Sequence, residues 1–201
     1  MTMFKAFGPC AIPLVGKKDR RIQASDFNIF WGRYRVEENV GCFMFAMSRI
    51  KIEKSVRVSK YSRLKPKTIY KYIPYFVETA PNSFRRDCFK EEYIEKYQKI
   101  IFEENKLKPV IFFVLHPELN FGDKKSPVFF RELEELKTFL VQSGRVFNIE
   151  LSDLNGKMPS WGIKGIIRGE KGGTNKHSSA LKSALGFNIP RKEKLFYRSP
   201  Y

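Results

Sequence analysis

Residues Val110-Ile111-Phe112-Phe113-Val114-Leu115 form an unbroken apolar run rich in β-branched and aromatic side chains. Successive side chains of a strand point to opposite faces, so a strand of this composition must be covered on both sides. The run is far shorter than the roughly 20 residues that cross a bilayer. It predicts a buried central strand, and the rest of the chain must supply its neighbours.

The segments before it read as β-rich. Phe27–Val36 and Val40–Met47 are predicted strands, and in the next stretch Ile50, Ile52, Val56 and Val58 alternate with Lys51, Glu53, Ser55 and Arg57. A basic connector, Lys60 to Lys67, leads into Thr68–Val77, where Pro74 predicts an edge strand or extended segment. Residues 84–105 carry Cys88, Phe89, Tyr93, Tyr97, Ile100 and Ile101 at helical spacing, which predicts one long amphipathic helix capped by Asn82 or Ser83.

After the apolar run, Ser126-Pro127 has the form of an N-cap followed by proline at the first helical position. Phe129, Leu133, Leu136 and Leu140 continue a helix that Gly144 is placed to end. Further predicted elements are a strand over Val146–Leu151, a turn at Asp153–Gly156, a strand over Trp161–Arg168 in a tight antiparallel hairpin, and a helix over Ser178–Leu185. From Lys108 onward this order is most of a ferredoxin-like arrangement. The expected class is α+β, with a basic β-rich region over 1–80, a helix plus ferredoxin-like core over 81–188, and a basic tail over 189–201. In that arrangement both helices lie on one face of an open sheet, and the other face is free for nucleic acid.

Charge restricts function further. The 201 residues carry 38 Lys and Arg against 21 Asp and Glu, a net +17. The excess is uneven: residues 1–75 hold 16 basic and 5 acidic side chains, residues 76–155 hold 12 and 14, and residues 156–201 hold 10 and 2. Two basic flanks around a near-neutral middle suit phosphate contact with counterion release. Cys10, Cys42 and Cys88 are scattered and odd in number, which argues against a disulfide framework or zinc cluster and for a reducing cytoplasm. The first residues lack a basic start followed by an apolar helix, the pattern of a signal peptide. No membrane partner, metal or cofactor is expected.

Three stretches supply candidate nucleic-acid contacts. Lys60, Arg63, Lys65, Lys67 and Lys71 interleave with Tyr61, Tyr70, Tyr72 and Tyr75, joining phosphate neutralisation to rings on which bases stack. The same tyrosines would also suit a half-buried sheet edge. A glycine-containing loop with Arg168, Lys171 and Lys176 precedes a helix, so backbone N–H groups would approach a phosphate there. It lacks the Gly-Lys-Ser/Thr order of a nucleotide-hydrolysing loop. The tail adds Arg191, Lys192 and Lys194, and Trp161 completes the set.

The enzymatic alternative is a nuclease or RNA-processing endonuclease in which His116 or His177 serves as general base. Both histidines also fit a structural role, and Cys88, on the apolar stripe of a helix, reads as core. Glu150, Asp153 and Lys157 form the closest approach to a metal-nuclease cluster. A third alternative is a structural or genome-packaging protein.

Residues 108–168 place Val114-Leu115-His116, then Val146 to Glu150, then Pro159-Ser160-Trp161-Gly162-Ile163, in a layout that resembles rolling-circle replication initiators of the His-hydrophobic-His class. Ser160 and Gly162 stand where that class has its two metal-binding histidines. Ser178–Leu185 contains no tyrosine nucleophile. The resemblance therefore implies a nucleic-acid-binding fold without strand-transfer chemistry. The leading expectation is a nucleic-acid-binding protein of a plasmid, phage or defence system.

Overall fold

The computed structural model describes residues 1–14, 21–53, 67–104, 106–145, 161–166 and 175–185. Strands β1 (Thr2–Ala11), β2 (Asn39–Glu53), β3 (Lys67–Ala80), β4 (Lys108–Asn120) and β5 (Trp161–Ile163) form one sheet in the order β3-β2-β4-β1-β5. All neighbours are antiparallel except β1 and β5, which run parallel. Helices α1 (Ala24–Tyr34), α2 (Phe84–Asp87), α3 (Glu91–Glu103), α4 (Pro127–Arg145) and α5 (Lys176–Ala184) complete a mixed α/β structure, consistent with the α+β class.

The apolar run lies in the middle strand, and its alternation builds two cores. Val110, Phe112 and Val114 join Cys42, Met44 and Ala46 of β2 and Phe4 and Ala6 of β1, under Phe129, Leu133, Leu136, Phe139 and Leu140 of α4 and Leu181 and Ala184 of α5. Ile111 and Phe113 point the other way, with Phe43, Phe45 and Met47, against Phe30 and Trp31 of α1, Phe84 of α2 and Tyr93, Tyr97 and Ile101 of α3. Helices therefore pack on both faces. The free sheet face expected from the ferredoxin-like order is not present, because β2 and β4 carry large apolar side chains on both sides and each side requires cover.

The ferredoxin-like order is met only in part. Elements β4, α4, β5 and α5 follow one another, but β1 lies between β4 and β5. Residues 1–80 and 108–163 thus contribute strands to the same sheet. The predicted strand over Trp161–Arg168 is shorter and pairs Trp161, Gly162 and Ile163 with Thr2, Met3 and Phe4. Its expected hairpin partner at 146–151 lies outside the described residues.

Two predicted elements change type. Phe27–Val36, expected as a strand, lies largely in α1. Asp26 accepts a hydrogen bond from the Gln23 N–H at 2.7 Å at its start, and Phe27, Phe30, Trp31 and Tyr34 recur at helical spacing. The helix ends where Arg35 turns left-handed at φ 53° and its N–H reaches the Trp31 carbonyl. The single helix expected over 84–105 is broken into α2 and α3. Buried Asp87 accepts from the Asn82 N–H at 2.8 Å, the Asn82 amide at 3.1 Å and Lys90 Nζ at 3.1 Å, and the Tyr97 hydroxyl donates to the Cys88 carbonyl at 2.7 Å.

Other expectations hold. β3 is an edge strand, and Pro74 sits beside the irregularity that leaves Tyr75 without an opposite residue on β2. Ser83 caps α2 through the Arg86 N–H, and Ser126 accepts from the Phe129 N–H at the start of α4. Cys88 is buried in the core, as its place on the stripe predicts. No helix among the described residues is long and apolar enough to cross a membrane.

Candidate nucleic-acid interface

The predicted contact residues separate into three groups. Lys60, Arg63, Lys65, Arg168, Lys171, Arg191, Lys192 and Lys194 lie outside the described residues, as do Glu150, Asp153 and Lys157. Lys67, Tyr70 and Lys71 fall on β3, in register with Glu53, Ile50 and Arg49 of β2. Tyr72, Trp161, Lys176 and both histidines have described surroundings.

Trp161 is fully buried, stacks edge-on against Phe4 and Phe139, and donates its indole N–H to Glu135 at 2.9 Å. Its ring is core and is withdrawn from the contact set. Tyr72 is half-buried and meets Phe112 edge-on at 5.1 Å, so this tyrosine follows the sheet-edge reading.

His116 is also structural. Between β2 and β4 the register passes from Gly41 opposite Leu115 to Asn39 opposite Asn120, so β4 bulges over residues 116–119. The His116 Nδ1 atom accepts from the N–H groups of Glu118 at 3.2 Å and Leu119 at 3.0 Å, closing the bulge. The ring is buried between Phe4 and Phe129, and burial lowers its pKa against the opposing pull of Glu132 and Glu118. A ring in this position has little access to a substrate proton.

His177 differs. It lies in the first turn of α5, which Asn175 caps by accepting from the His177 and Ser178 N–H groups at 3.0 and 2.9 Å. The imidazole stacks on Phe7 with centroids 4.7 Å apart. Its Nδ1 lies 2.8 Å from the Gly8 carbonyl oxygen and 3.2 Å from the Gly8 nitrogen. One tautomer makes only one of these bonds, and the shorter contact favours Nδ1–H donating to the carbonyl. Nε2 is then the basic nitrogen, and it has no hydrogen-bond partner among the described residues.

The support for this ring is a bulge in β1. Phe7 pairs with Phe113 and Cys10 with Ile111, so Gly8 and Pro9, joined by a cis peptide bond, stand opposite Phe112 alone. Gly8 has φ 128°, and a Cβ there would lie 3.0 Å from the Ile111 carbonyl oxygen. Beside the bulge, the Tyr34 hydroxyl accepts from the Ala11 N–H at 2.8 Å, its ring meets Phe7 edge-on, and the Arg33 guanidinium lies over it at 5.7 Å. Burial raises the Tyr34 pKa. The rings of Tyr34 and His177 both meet Phe7 at this bulge, and exposed Lys5, Arg33 and Lys176 flank these three residues in the chain.

Phe7, Arg33 and Tyr34 are absent from the sequence-derived set because the interrupted first strand and the strand-like composition of 27–36 conceal their places. All three thiols are buried and their pKa values are raised by that burial, which suits core roles. Among the described residues no group of three or more His, Cys, Asp or Glu side chains is placed to hold a metal ion. No protein-family model, curated protein or solved structure matches this chain.

Proposed function

We propose that this protein binds nucleic acid through phosphate neutralisation and aromatic stacking at the edges and ends of its sheet. The observation that carries the reading is the position of Lys176 and His177. They open α5, follow the basic residues Arg168 and Lys171 in the chain, and stand where the first turn of the helix is fixed on β1, a strand that also exposes Lys5. Both sheet faces are occupied by helices, so contacts fall on loops and helix ends, and backbone contact dominates over sequence readout. Binding of labelled single- and double-stranded DNA and RNA at increasing salt tests this. The logarithm of affinity is expected to fall linearly with the logarithm of salt, and Lys176→Ala should reduce the slope by about one unit. Absent or salt-insensitive binding would overturn the reading.

One observation favours a second reading, an RNA-cleaving enzyme with His177 as general base. A backbone carbonyl on Nδ1 holds an imidazole with Nε2 basic, the arrangement a base requires. RNA cleavage by the protein, lost in His177→Ala and retained in His116→Ala, would establish it.

A further inference from the structure

Among the described residues of the near-neutral middle of the chain, one cation–aromatic pair, Arg86 with Phe121, has its aromatic residue exposed. Phe121 follows the last residue of β4 and is 44% exposed, and the Arg86 guanidinium lies over its ring at 4.3 Å. The support beneath it is firmly bonded. The Phe121 N–H donates to the Glu38 carbonyl at 2.6 Å, and the Asn39 amide donates to the Asn120 side chain at 2.8 Å. Asp123 accepts from the Asn120 N–H at 2.7 Å, and Lys125 Nζ donates to the Asp123 and Asn120 carbonyls. On the other side, the Arg85 N–H donates to the Glu37 carbonyl at 3.0 Å, anchoring α2 beside the same loop.

We propose that Phe121, backed by Arg86, is a stacking platform for an unpaired base of a single-stranded nucleic acid. This rests on the nucleic-acid-binding reading above and adds its site and strand state. A large apolar ring held half in water on a fixed backbone presents a π-face at little conformational cost, and a guanidinium against that ring adds attraction for a phosphate or base. Duplex bases hide their faces in the stack, whereas those of a single strand are available. The segments 35–39, 85–86 and 121–125, which these bonds join, carry exposed Arg35, Arg85, Arg86 and Lys124 and half-buried Lys125 against Glu37, Glu38 and Asp123, five cations to three carboxylates. That local surplus is small, so stacking dominates the site and charge makes a lesser contribution.

The balance between the two makes the test specific. Fluorescein-labelled single strands of about 12 nucleotides, oligo(dT) and oligo(U), and a matching duplex are titrated against the full chain over a range of salt. Phe121→Ala is expected to weaken single-strand binding roughly tenfold, with the salt slope and melting temperature unchanged. Arg86→Ala should lower both affinity and slope. Phe121→Trp should retain binding, and its emission should be quenched by the oligonucleotide, since the native Trp31 and Trp161 are buried.

Single-strand binding by wild type that Phe121→Ala leaves unaltered overturns this inference and leaves the proposed function standing. An equal loss on the duplex overturns the single-strand assignment. A change of oligomeric state in Phe121→Ala at constant oligonucleotide affinity assigns the face to protein and also overturns it. Failure of wild type to bind any oligonucleotide removes both proposals together.

Discussion

His116 and His177 are the chain's two histidines, and their backbone partners divide their roles. His116 accepts two N–H groups on Nδ1, which requires the neutral ring. Burial lowers its pKa below the ordinary 6.5, so between the folded value and about 6.5 the unfolded chain binds the proton more readily. Its contribution to stability is therefore complete above about pH 6.5 and is lost as pH falls through the folded value. Urea denaturation across that range should show an acid decline that His116→Ala flattens. At neutral pH the same substitution should cost about 1–3 kcal/mol, because the Glu118 and Leu119 N–H groups lose their acceptor. Gly41 makes a second sharp prediction. It has φ 154°, and a Cβ there would lie 2.0 Å from the Val114 carbonyl oxygen, inside the β2–β4 ladder. Gly41→Ala should lower stability by about 2–4 kcal/mol, read as a fall in the denaturation midpoint.

At the scale of elements, the junction between α2 and α3 rests on the Asp87 carboxylate and its bonds to Asn82 and Lys90. Asp87→Ala should cost about 2–4 kcal/mol, measured by denaturation, and near-UV circular dichroism should report loosening of the aromatic cluster of Phe84, Phe89, Tyr93 and Tyr97. This junction also marks a limit of the sequence reading. The stripe of Cys88, Phe89, Tyr93 and Tyr97 is visible at helical spacing, but a carboxylate that takes bonds from both sides and interrupts the helix leaves no periodic trace.

β4 and α4 were legible because their signals are local, an apolar run and a Ser-Pro start. α1 was not, since Phe, Ile, Trp, Tyr and Val suit strands by propensity and the outcome turned on the Gln23–Asp26 cap. β1 was hidden because Gly8-Pro9 interrupts its pattern, and only the bulge opposite Phe112 allows the strand to continue. The candidate site inherits these gaps. Lys176 was legible from charge and glycine content and His177 as one of two histidines, whereas Phe7, Tyr34, Phe121 and Arg86 depend on tertiary placement. Buried Trp161 shows that an aromatic residue in a basic context need not be a contact.

For the whole molecule, the two cores make β4 a test of architecture. Phe112 and Phe113 are both fully buried, one on each face. Phe112→Ala and Phe113→Ala should each cost about 3–5 kcal/mol, whereas a sheet open on one side would tolerate one of them. Amide hydrogen exchange should be slowest in β4, which has a strand on either side and helices above and below.

The position of β1 between β4 and β5 also has a consequence for how the chain is made. Lys5 pairs with Leu115 and Phe4 with Ile163, so the first strand emerges from the ribosome long before either partner exists. At about 5–20 residues per second it waits roughly 5–20 s for β4. Throughout that interval the β2–β3 hairpin and the apolar side chains of β1 are synthesised without the strand that joins them. Folding must then close long loops late, which favours slow acquisition of structure and a nascent chain that depends on protection from aggregation until about residue 120 has emerged.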